Sequence, residues 1–163
     1  MDKHPGTNPR RMKTYTGGQG YVYQYYFVGK RTALATDAHA PATEYIFDVT
    51  SDRKTTFAVS VFVRDNASRQ WAELHGRALT DAEQYGAVKM RLFKAFDEVE
   101  DMMSHGRELL IDKEALDRYS RRFRIEIPSL YTEVLTELNG AFCFGMSLCG
   151  VPGSMQNNVP VLW

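Results

Sequence analysis

Alternating apolar and polar positions predict strands in the first part of the chain. Residues 21–28 are rich in aromatic and β-branched side chains, as in strands. Residues 44–49 and 56–63 are two more strand candidates, and the polar stretch 50–54 between them predicts an antiparallel hairpin. The alanine-rich stretch 32–41 is expected to be a loop or an irregular connection.

Helical periodicity follows the strands. A short helix is expected over 67–75, capped by Asp65 or Asn66 and ended by Gly76. A longer helix is expected over 81–103, where apolar residues recur every three or four positions. It starts at a capping box, in which Thr80 and Glu83 satisfy each other's backbone amides.

In the last third of the chain, the sequence predicts two helices and a strand after a break at residues 104–107. Asp112 is a cap for the first helix, and Pro128 suits the first turn of the second. The second helix ends at Asn139-Gly140, and residues 141–151 alternate as in a strand.

Strands followed by helices, without βαβ alternation, predict the α+β class. We expect a polar basic arm at 1–13 and, over 14–103, a mainly antiparallel sheet of three or four strands against the long helix. A helix-helix-strand unit at 107–163 would pack beside that sheet or extend it.

Composition narrows the function classes. The 163 residues carry 20 basic and 20 acidic side chains, so the formal charge is zero and the simplest argument for nucleic acid or anionic membrane is missing. No apolar run reaches the ~18 residues that a membrane span needs, and the first residues lack the apolar segment of a secretory signal. Two cysteines, Cys143 and Cys149, fit buried thiols in a reducing cytoplasm.

Local motifs do not indicate catalysis, a cofactor or a metal. The segment 17–20, Gly-Gly-Gln-Gly, precedes a strand rather than a helix, which favours a hairpin turn or the entry to a strand over a phosphate loop. Acidic residues near the end of the long helix are expected to form a solvated face; they are Asp97, Glu98, Glu100 and Asp101. An enzyme would have to gather distant groups such as Asp37, His39, Asp48 and His75.

A row of tyrosines is the main candidate for partner binding. Tyr21, Tyr23 and Tyr25 share one strand face, and Arg10 and Arg11 precede them. If the long helix leaves that face uncovered, the rings are expected to bind a protein. The alternative is RNA or single-stranded nucleic acid, whose bases stack on exposed aromatic rings.

The last residues, Val159 to Trp163, form an apolar tail. An exposed tryptophan beside other apolar side chains would be a sticky patch. We therefore expect Trp163 to dock, either on its own domain or across a homodimer.

Residues 112–151 carry a family resemblance. Ile127-Pro128, then Tyr131, Leu135 and Asn139-Gly140, followed by an apolar strand, resemble the opening of the SUKH superfamily. The resemblance implies a non-enzymatic α+β binding module, often an immunity protein that neutralises a bacterial toxin. The sequence as a whole therefore predicts a cytoplasmic protein-binding module.

Overall fold

A mixed five-stranded sheet organises the part of the chain that the structure, a computed structural model, describes: residues 12–35 and 39–126. The strands lie in the order of the chain; they are β1 (Lys13–Thr16), β2 (Val22–Ala35), β3 (Ala40–Thr50), β4 (Phe57–Arg64) and β5 (Glu108–Ile111). The helices are α1 (Asp65–His75), α2 (Asp81–Glu98), α3 (Met102–His105) and α4 (Lys113–Glu126). The α+β class predicted from the sequence is confirmed.

The sheet has more strands than the sequence predicts, and two of them are longer than expected. Strands β1 to β4 form an antiparallel meander, and β5 pairs with β4 in parallel after the chain has crossed over through α1 and α2. Strand β5 was not predicted, because four residues are too few to show alternation. The loop expected over 32–41 is wrong, since Thr32 pairs with Thr43 and Ala35 pairs with Ala40. Pairing with β3 overrides the poor strand propensity of the alanines.

The helix starts follow local sequence signals. The Glu83 amide donates to Thr80 Oγ1 at 3.2 Å, and the Thr80 amide donates to Glu83 Oε2 at 3.0 Å, which confirms the capping box. The Ala115 amide donates to Asp112 Oδ1 at 2.8 Å, which confirms that cap. Helix α1 ends at Gly76, whose φ of 67° is the left-handed conformation that glycine adopts without strain. The N-cap of α1, however, is Arg64 rather than Asp65 or Asn66.

The long helix ends earlier than its periodicity predicts. Helix α2 stops at Glu98, and Val99 is extended, with φ −97° and ψ 111°. Asp101 then starts α3 by accepting a hydrogen bond from the Ser104 amide at 3.1 Å. The expected helix over 81–103 is therefore two helices with a bend between them.

One hydrophobic core lies between the sheet and α1, α2 and α4. Trp71 of α1, Phe96 of α2 and Leu116 of α4 all belong to it. The Trp71 Nε1–H group donates to Ser120 Oγ at 3.1 Å, which ties α1 to α4. Leu109 and Ile111 of β5 lie in the same core, so β5 extends the sheet beyond β4. The strand expected over 141–151 lies outside the described residues.

Candidate functional site

The predicted tyrosine face is covered by α2. Tyr23 and Tyr25 are each only 3% exposed, and the Tyr23 ring stacks on Phe96 with centroids 4.4 Å apart. The apolar stripe of α2 packs on this face of the sheet, so the condition for partner binding through Tyr23 and Tyr25 is not met. Tyr21, at the start of the row, is 46% exposed.

The other predicted contact residues lie outside the described part of the chain. They are Arg10, Arg11 and Trp163; the same holds for Cys143, Cys149, Asp37 and the SUKH-like positions from Ile127 onwards.

A lysine inside the aromatic core was not predicted. Lys89 of α2 is fully buried, and its ammonium nitrogen lies 5.7 Å from the Tyr25 ring centroid and 5.6 Å from that of Phe93. These distances fit cation–π attraction, which is stronger where water is excluded. The helical spacing of apolar residues in α2 gave no sign that a cation lies among them.

The opposite side of the sheet has no helix on it among the described residues. We call it the outer face. Strand alternation and register place ten central side chains there; they are Gln24, Tyr26, Arg31, Glu44, Ile46, Asp48, Ser60, Phe62, Glu108 and Leu110. Nine of them are out of phase with the core residues of their own strand, and the irregularity between Phe27 and Gly29 shifts Arg31 onto the same face, where it pairs with Glu44.

Polar side chains on the outer face are held by specific bonds. Arg31 Nε donates to Glu44 Oε2 at 2.6 Å, and Ser60 Oγ donates to Glu44 Oε1 at 2.7 Å. Burial raises the pKa of Glu44, but the bonds from Arg31 and Ser60 outweigh it, so this pKa lies below its usual value. Tyr26 donates its hydroxyl hydrogen to Asp48. The two carboxylates are therefore fixed in place on the surface of the sheet.

Apolar side chains lie between these polar groups. Phe62 is 8% exposed and packs with Ala35 and Ala42, and Leu110 packs against this cluster. Ile46 and Tyr26 are half-buried. Nearer β1, Val22 is 41% exposed. The outer face thus combines partly exposed apolar groups with a fixed polar network.

The glycine-rich segment is a hairpin turn, as predicted. The Gly17 amide donates to the Tyr21 carbonyl at 2.9 Å. The Gly18 amide donates to Asp97 Oδ1 at 3.1 Å, so an amide that a phosphate loop would offer to an anion serves a carboxylate of the same chain. Asp97 therefore does not belong to a solvated acidic face. A side chain at position 17 would place its Cβ 2.9 Å from Asp97 Oδ1, which favours glycine there.

Two of the groups considered for an enzyme, Asp48 and His75, have other roles, and His39 lies exposed in the turn before β3. Asp48 accepts from Tyr26 on the outer face, whereas His75 lies in the helix layer on the other side of the sheet. His75 Nε2 and Asp117 Oδ1 are 2.8 Å apart, and the imidazole stacks on Trp71 at 4.1 Å. Burial raises the pKa of Asp117, but the bonds from His75 and Arg121 lower it overall. The contact between His75 and Asp117 therefore links α1 to α4.

The described residues show neither a metal-binding cluster nor a membrane-spanning helix. They contain no cluster of three or more histidine, cysteine or acidic side chains placed to hold a metal ion. None of their helices combines the length and apolar character needed to cross a membrane.

Comparison with known proteins returned no relative. The chain matches no protein-family model, and neither a curated protein nor a solved structure is significantly similar to it.

Proposed function

We propose that the protein is a protein-binding module and that the outer face is its binding surface. The observation that carries this proposal is a sheet face that no helix of residues 12–35 and 39–126 covers, where Ile46, Leu110 and Val22 are partly exposed. Partly exposed apolar groups among ordered polar ones are the composition of protein interfaces. The immunity role implied by the SUKH resemblance is a narrower form of the same proposal.

The polar network supports recognition of a protein surface. Glu44 and Asp48 already have partners on their own sheet, so they do not have to rearrange when a second surface covers them. Preordered groups lose less conformational entropy on binding than mobile ones. The network would therefore fix the register of a partner while the apolar groups contribute the affinity.

The same surface gives less support to the alternative function, nucleic-acid binding. Two of the three rings proposed for stacking, Tyr23 and Tyr25, are in the core. The outer face carries three carboxylates, Glu44, Asp48 and Glu108, which oppose a phosphate backbone.

A capture experiment with matched variants tests the proposal. Tagged wild type, Ile46→Lys and the control Glu73→Lys would be incubated with lysate of the native host. Glu73 is exposed on α1, in the helix layer. We expect a stoichiometric protein that wild type and Glu73→Lys retain and Ile46→Lys loses. Retention by all three, or by none, contradicts binding through the outer face.

A further inference from the structure

We draw no further inference here: the strongest candidate, the outer face of the sheet around Ile46 and Phe62, carries none beyond the proposed function, because nothing in residues 12–35 and 39–126 shows what covers it.

Discussion

The Tyr15 hydroxyl donates a hydrogen bond to Asp97 Oδ2 at 2.8 Å and so joins the first strand to the end of α2. The same carboxylate accepts from the Gly18 amide, and Gln19 Nε2 donates to the Asp97 carbonyl at 3.0 Å. The Tyr15 ring also stacks on Phe93, with centroids 4.4 Å apart. Asp97 therefore holds the β1–β2 turn against the helix.

Removing the Tyr15 hydroxyl is expected to destabilise the protein. Tyr15→Phe keeps the stacked ring but leaves Asp97 without one donor, and a hydrogen bond to a charged group contributes about 1.5–3 kcal/mol. Because the site is only partly buried, we expect the lower end of that range. Chemical denaturation measures the difference, and Tyr21→Phe, at an exposed ring, is the control. Equal stability of Tyr15→Phe and wild type would show that this bond contributes nothing.

Alkaline pH is expected to destabilise the fold through Tyr15. Burial, followed by the Asp97 bond and charge, raises the pKa of Tyr15 from 10.0 to about 12. Its folded-state pKa is above the unfolded value, so the stabilisation is complete below pH 10 and is lost as the pH rises towards 12. Tyrosinate absorbance and circular dichroism would be followed together across this range. The Asp97→Asn variant should ionise Tyr15 at lower pH, and an unchanged titration would contradict the assignment.

Tyr23 is expected to act in stability rather than in binding. Tyr23→Ala removes a ring that stacks on Phe96, and loss of a buried aromatic side chain costs about 3–5 kcal/mol. Tyr21→Ala, at an exposed position, should change the free energy of unfolding by less than about 1 kcal/mol. Denaturant melts of both variants measure the contrast. Similar effects of the two substitutions would be inconsistent with the burial of Tyr23.

The Arg31–Glu44 pair is expected to contribute stability that depends on acid pH. Arg31→Met leaves the Glu44 carboxylate with Ser60 but without its cation, so the variant should be less stable than wild type at neutral pH. The folded-state pKa of Glu44 is below its ordinary 4.5, so its contribution is present above pH 4.5 and is lost as the pH falls through the folded value. The difference between Arg31→Met and wild type should therefore shrink in acid. Unfolding curves at several pH values measure it, and a difference that stays constant would exclude a charge effect.

Sequence reasoning succeeded where a signal is local. The start of α2 could be predicted because Thr80 and Glu83 are three residues apart and satisfy each other. The end of α2 could not, because it coincides with Asp97, whose partners are in the β1–β2 turn far away along the chain. The helical pattern continues past this point in sequence, while the tertiary contact sets the bend.

The candidate site, too, could be predicted only where the signal is local. Alternation in β2 correctly placed Tyr23 and Tyr25 on one face, but alternation does not say which face a helix will cover. The outer face became visible only when Arg31, Glu44 and Ser60, from three strands, were brought into register. A four-residue strand such as β5 carries too little pattern to be recognised before its pairing with β4 is known.

The parallel pairing of β5 with β4 has a consequence for synthesis on the ribosome. The meander β1–β4 can form as soon as residue 64 has emerged, but β4 then has one unpaired edge, lined by Val61 and Val63. Residues 65–107 must be translated before β5 can cover that edge, which takes a few seconds at roughly 5–20 residues per second. During that interval the nascent chain presents a bare strand of high β propensity, the kind of surface that chaperones protect from aggregation.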